Sequence, residues 1–422
     1  MTSKIIVNNI ESDSGVSSVT FTSDIELGTK NLKGHNLEST GIVTAVSFTG
    51  SGANLTNLPA ANITGTLPAL DGSALTGVGA SFGNSSVNTS GIITATSFVQ
   101  TTGQLSHRNL IINGAMMVSQ RATSATGTSG YGSVDRFSST FGGHNEAPTQ
   151  AQVDVASGTT PYSLGFRKAF KITNGNQTSI DATDYLNFHT KLEGQTVSQS
   201  GWNYLSTSSF ITLSFWVKSS VAQNFYGYID VRSGTRHLYS FETGALTADT
   251  WTKITKTIPG NSNLQFDPDN QWGLMFIVWP YLGTSFTNVG ATLNTWRIYG
   301  GGGQRVPPVP TTWWTTNDAT IEFTGVQLEV GPVATPFEFR SYGDELARCQ
   351  RYFIKMSGGN FLFPQNNVYA SFSFPQEMRD APTLTFLSGA GTKSGIRVEK
   401  DGFRAVNSLG PQDHAFTAES EI

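Results

Sequence analysis

The chain has 422 residues, of which 13% are charged and 11% aromatic; 45 are glycine, and the net charge is −4. Charge is about half the ~25% of ordinary globular proteins and glycine exceeds the ~7% norm. This excludes a disordered chain, which carries more charge and fewer rings, and a nucleic-acid binder, which needs a clustered basic face.

No run approaches the ~18 apolar residues of a membrane span, so membrane insertion is not expected. The first residues, MTSKIIVNNIESDSG, do not have the apolar core of a signal peptide. Cys349 is the single cysteine, so no intrachain disulfide can form. Abundant Gly, Ser and Thr favour strands and tight turns over helices. The expectation is a mainly β protein, with room for roughly three domains.

Residues 1–30 hold two short alternating runs, Ile5–Ile10 and Val16–Ile25, and are expected to be an N-terminal attachment segment. From 31 to 107 the chain repeats. TGIVTAVSF (40–48) returns as SGIITATSF (90–98), with ANLTN (53–57), ANITG (61–65) and SALTG (73–77) between them. Fixed spacing marks an array, whereas a flexible linker needs only composition. The repeats hold too few large apolar groups for one chain to enclose a core, and three chains about a common axis would supply the rest. A trimeric β shaft is expected.

The body, 108–340, is long enough for one β-sandwich. Strands are predicted at 210–218, 225–232, 251–258, 272–279 and 319–330, each bounded by Gly, Pro, Asn or Asp. In the last, the apolar phase slips at Gly325, from Ile321 and Phe323 to Val326, Leu328 and Val330, which predicts a β-bulge. Gly331-Pro332 ends the strand. Ser341, ahead of Asp344 and Glu345, predicts a capped short helix within a linker spanning 341–356. Runs at 368–374, 382–388 and 395–403 predict a small β tip over 357–422.

No motif for catalysis is present: there is no GxSxG, GxxxxGK[ST] or HExxH. No metal-ligand spacing joins the six histidines, so no catalytic residue, metal or cofactor is expected. Cys349 is expected to be a buried structural thiol. Asp181 with Asp184 could form a glycosidase pair, and Asp267-Pro268-Asp269-Asn270 could hold calcium; a turn capped by Asp side chains is the commoner role of both.

Several of these strings together are unusual. The run GVQLEVG, ATPFEFRS, DELARCQRYF resembles the junction in tail-fibre proteins of marine cyanobacterial phages, where a jelly roll related to carbohydrate-binding modules meets a C-terminal tip. The GI(V/I)TA repeats resemble the shafts of those fibres, NLIINGAMMVSQR (109–121) the first strand of their jelly roll, and FPQEMRDAPTLTF their tip. FTAESEI resembles their usual C-terminus, implying a chain complete at that end. The resemblance implies a virion component, made in the host cytoplasm, that attaches to a host-surface polysaccharide or lipopolysaccharide. A homotrimer joined through its N-terminus to other tail or baseplate proteins is implied. Two rivals stay open: a purely structural collar or whisker fibre, and a tailspike depolymerase.

Strand parity supplies the candidate glycan site. In 210–218, Ile211, Leu213, Phe215 and Val217 share a face and Trp216 lies on the other; in 225–232, Phe225, Ile229 and Val231 oppose Tyr226, Tyr228, Asp230 and Arg232. An antiparallel hairpin would gather Trp216, Tyr226, Tyr228, Asp230 and Arg232 on one side, where rings and charges suit a sugar. The Gly- and Pro-rich stretch 300–317 is expected to carry Trp313 and Trp314 near the surface as a second candidate. Trp251, Trp272 and Trp296 are expected to anchor the core, while Trp279 and Tyr281, beside Pro280, are left undecided.

Overall fold

The structure, a computed structural model, describes residues 107–422 apart from 302, 304, 364–365 and 410–411, together with 40–42 and 44. The attachment segment, nearly all of the expected shaft, and the trimer it would form lie outside these residues.

The protein is mainly β. The sandwich strands are β1 (Ser124–Thr126), β2 (Phe141–Gly142), β3 (Thr149–Asp154), β4 (Lys168–Thr173), β5 (Tyr185–Glu193) and β6 (Phe210–Ser219). They continue with β7 (Asn224–Val231), β8 (His237–Ala245), β9 (Thr252–Pro259), β10 (Trp272–Leu282), β11 (Trp296–Ile298) and β12 (Thr320–Val330). Two antiparallel sheets result, ordered β1-β3-β4-β12-β6-β9 and β11-β8-β7-β10-β5-β2.

Alternation along each strand explains the pairing. Ile211, Leu213, Phe215 and Val217 of β6 and Phe225, Ile229 and Val231 of β7 are fully buried. Their rings meet across the gap between sheets: Phe188 of β5 stacks on Phe323 of β12 at 4.1 Å, and Phe215 meets Phe276 of β10 at 5.2 Å. A face of this kind on each sheet removes both from water, at about 25 cal/mol per Å².

The predicted bulge is present. The β12–β6 register slips between Thr324 and Gln327, with Gly325 at φ +63°. That left-handed backbone is why glycine stands there. A second slip, in the β10–β5 register between Val278 and Tyr281, spans Pro280, which has no N–H for the ladder. Trp279 keeps the face of Met275 and Ile277, opposite Tyr226, while the slip moves Tyr281 to the other face, where it pairs with Leu186 and stacks on Trp314 at 4.8 Å.

Three short helices interrupt the sandwich, α1 (Thr160–Ser163), α2 (Gly194–Ser198) and α3 (Thr312–Thr315); α4 (Tyr342–Gln350) follows it. Ser341 caps α4 by accepting from the Asp344 N–H at 3.2 Å, and Cys349 is buried within it. Burial raises the thiol's pKa well above the ordinary range, as suits a structural side chain.

Strands β13 (Phe353–Phe363), β14 (Tyr369–Ser373), β15 (Thr383–Phe386), β16 (Lys393–Glu399), β17 (Gly402–Asn407) and β18 (Gln412–Glu419) build the tip. They form two three-stranded sheets, β13-β18-β15 and β14-β17-β16, around Ile354, Phe403 and Phe416. The residues after β18 run back to the sandwich. Glu421 pairs with buried Arg136 and, at 3.2 Å, with Arg121; Arg351 and Tyr352 hold Glu193 at 2.9 and 2.5 Å. Arg136 also lies 3.4 Å over the Tyr352 ring.

Candidate functional site

The outer face of the second sheet carries an open groove of about 440 Å³. Its floor follows from register: His189 of β5, Ile277 of β10 and Tyr228 of β7 lie abreast, and Lys191, Met275 and Asp230 form the next row. Tyr185, Asn187, His189 and Lys191 line it from β5 because they alternate with core-facing Leu186, Phe188 and Leu192. Trp272, Trp279 and Phe286 add rings, and Arg232, Arg236 and Arg305 add charge.

The polar groups are fixed in place. Asp230 is fully buried; Arg236 donates to it through Nε at 2.8 Å and Nη2 at 2.7 Å, and Arg232 Nε reaches it at 3.3 Å. Arg232 lies 4.0 Å over the Trp272 ring, and Lys191 lies 4.6 Å over the same ring. Burial holds the Lys191 ammonium below its usual pKa and pushes the Tyr228 hydroxyl above its own.

Asn187 fixes the state of His189. Its Oδ1 accepts from the Thr140 N–H at 3.3 Å, and its Nδ2 donates to Thr140 Oγ1 at 2.7 Å. His189 Nδ1 stands 2.8 Å from that Oδ1, so Nδ1 carries the proton and Nε2 is an acceptor. Burial, reinforced by Lys191 and Arg136, lowers the ring's pKa to about 3. The imidazole is neutral at every physiological pH. Rings for stacking, a neutral acceptor and fixed guanidinium donors together suit a hydroxylated ligand with apolar C–H faces.

The residues singled out from sequence separate. Tyr228 and Arg232 line the groove, Asp230 lies buried against Arg236, and Tyr226 sits on the same sheet face, opposite Trp279. Trp216 is not with them. The expected hairpin does not form, because residues 220–223 cross from one sheet to the other and the apolar faces of β6 and β7 meet across the sandwich. Trp216 instead packs with Phe166, Trp251 and Phe337 on the opposite sheet.

Trp313 and Trp314 are fully buried, contrary to expectation. The Pro-rich stretch turns inward as α3, and distant polar groups meet its backbone: Gln223 accepts from the Trp313 N–H at 2.9 Å, and Asn174 donates to the Trp314 carbonyl at 2.6 Å. Trp251, Trp272 and Trp296 are half-buried at cluster margins rather than central. The β5 residues were missed, although Tyr185, Asn187, His189 and Lys191 alternate with apolar neighbours, a period-2 signal.

Asp184 is buried and caps a turn, accepting from the Asp181 N–H at 2.7 Å. Asp269 Oδ1 accepts from the Gln271 N–H, and Asn270 bonds to the Arg379 backbone of the tip. Among the described residues no group of three or more metal-ligating side chains is gathered. A larger recess, about 580 Å³, lies between α2 and α4, but Tyr352 is its one benzenoid ring and is tied to Glu193.

No family model and no curated protein matches the sequence. Among solved structures, the chain is similar to the enzymatically active domain of tailspike protein 4 of bacteriophage CBA120. Identity there is 10% and the TM-score 0.28, over 53% of this chain and 21% of that one. It is also similar to a family 11 carbohydrate-binding module of Clostridium thermocellum in complex with a β-1,3-1,4-mixed-linked tetrasaccharide (12% identity, TM-score 0.21, 49% of this chain and 94% of that one). A family 30 carbohydrate-binding module of a C. thermocellum cellulosomal cellulase matches at 13% identity and a TM-score of 0.21, over 49% and 97%.

Proposed function

We propose that the β-sandwich binds a cell-surface glycan in the groove of its second sheet, within a phage tail fibre that attaches to its host. The observation that carries the reading is the lining itself: Tyr185, Trp272 and Phe286 are half-exposed rings beside fixed polar groups on one strand-built floor. The sugar's C–H face would stack on a ring while its hydroxyls bond to His189, Asn187 and the guanidiniums.

The virion setting rests on the sequence resemblance at the junction, in the repeats and in the tip. In that setting residues 31–107 would join three copies, and residues 1–30 would dock on other tail proteins. Weak binding at each site would then be multiplied by the number of copies. Light scattering on the full chain tests the trimer.

The glycan reading is tested by pull-down on polysaccharide and lipopolysaccharide from candidate host envelopes. Trp272→Ala, checked for fold by circular dichroism, is expected to lose retention at least tenfold, about 1.4 kcal/mol of binding free energy. Retention equal to the unaltered protein would remove the groove as the site.

A further inference from the structure

We infer that the glycan taken by this groove is anionic, a chain bearing carboxylate or sulfate groups; the inference rests on the glycan reading above. Three guanidiniums line the groove, Arg232, Arg236 and Arg305, and no Asp or Glu lines it. The carboxylate that meets them is Asp230, buried and held on two atoms by Arg236. Lys191 is already engaged, donating to the backbone oxygen of Ile422 at 2.6 Å. Three guanidiniums against one carboxylate leave an excess of two positive charges, on a chain whose net charge is −4.

Arg305 has no carboxylate within ion-pair distance among the described residues. Its neighbours are the rings of Phe286 at 4.9 Å, Trp279 at 5.9 Å and Tyr299 at 6.0 Å, and its Nη2 makes one long hydrogen bond, 3.5 Å, to the Tyr299 hydroxyl. Its Nε is buried and has no hydrogen-bond partner. A half-buried cation beside rings with an orphan N–H is costly until an acceptor arrives. A neutral sugar offers it a hydroxyl, whereas a carboxylate or sulfate offers two coplanar oxygens and the missing charge.

The second cation lies at the other end. Arg232 is stacked on Trp272 and Arg305 stands near Trp279, seven residues further along β10, or roughly 20 Å at strand rise. That span fits a polymer charged at intervals better than one charged terminal sugar.

Matched polymers test this. Polygalacturonate is compared with its carboxyl-reduced form, and dextran sulfate with dextran, by affinity electrophoresis of the full chain. We expect the charged member of one pair to bind at least tenfold tighter. That binding should weaken about tenfold between 0.1 and 1 M salt as screening shortens from ~10 to ~3 Å. The pair that responds identifies the group as carboxylate or sulfate. Arg305→Gln should erase the preference, bringing the charged member down to the level of its neutral counterpart on the same variant; should that variant misfold, the salt dependence of the unaltered protein decides.

Equal binding of charged and neutral members, lost on Trp272→Ala, overturns the inference and leaves the glycan reading standing. No binding to either member of either pair, or binding untouched by Trp272→Ala, overturns both.

Discussion

Asp135 is fully buried where the sandwich meets the chain's last residues. Burial lifts its pKa from 3.8 to about 6, against the opposing pull of hydrogen bonds from Gln120 and the charge of Arg121. In the unfolded chain the proton leaves first, so the folded state holds it longer. The group's contribution is therefore full below about pH 4 and lost as pH rises to about 6. Urea unfolding of the unaltered protein and of Asp135→Asn across that window should show their stability difference fall by about 3 kcal/mol, then level off. A flat difference would mean an ordinary carboxyl. His189 behaves in the opposite way, since a pKa near 3 leaves nothing to titrate between pH 5 and 8. Binding in the groove should be level across that range, as measured by affinity electrophoresis, so far as this ring decides it.

At the level of elements, period-2 alternation made the strands legible. The five strand predictions match β6, β7, β9, β10 and β12 within three residues at each end. The slip at Gly325 and the cap at Ser341 were legible too, because each depends on residues only a few positions apart. Sheet membership was not, since the same few residues after β6 can turn back beside it or cross to the facing sheet. Trp313 and Trp314 were lost for a related reason: Asn174 and Gln223, which satisfy their backbone, lie some hundred residues away. The bulge itself is open to test. An alanine Cβ at position 325 would stand 2.7 Å from Phe166 Cζ, on a backbone at φ +63°. Gly325→Ala should cost ~1–3 kcal/mol in thermal unfolding and leave glycan retention unchanged, because Phe166 and Trp216 pack on the other sheet.

Across the whole molecule, sandwich and tip are joined by buried charge rather than by apolar surface alone. Arg136 is 2% exposed and paired with Glu421. Removing one member of such a pair leaves the other uncompensated, so Glu421→Ala should destabilise by roughly 3–5 kcal/mol. Limited proteolysis should then cut first between sandwich and tip; unchanged resistance would show that the ion pair does not hold them. Nothing local in the sequence announces this joint, since its partners are nearly three hundred positions apart.

The position of β12 has a consequence for how the chain is made. It lies between β4 and β6, bonded to both, yet it is the last sandwich strand to be synthesised. Until residue 330 has left the ribosome, the first sheet exists as two pieces with unpaired edges on either side of a gap, and Phe188 has no Phe323 to stack on. Pairing at such separation is slow, and open edges invite aggregation. A nascent chain stopped at residue 318 should therefore be protease-sensitive throughout, and one released past 340 should become resistant in a single step. The groove on the outer face of the second sheet would take its final shape only once the first sheet covers that sheet's inner face.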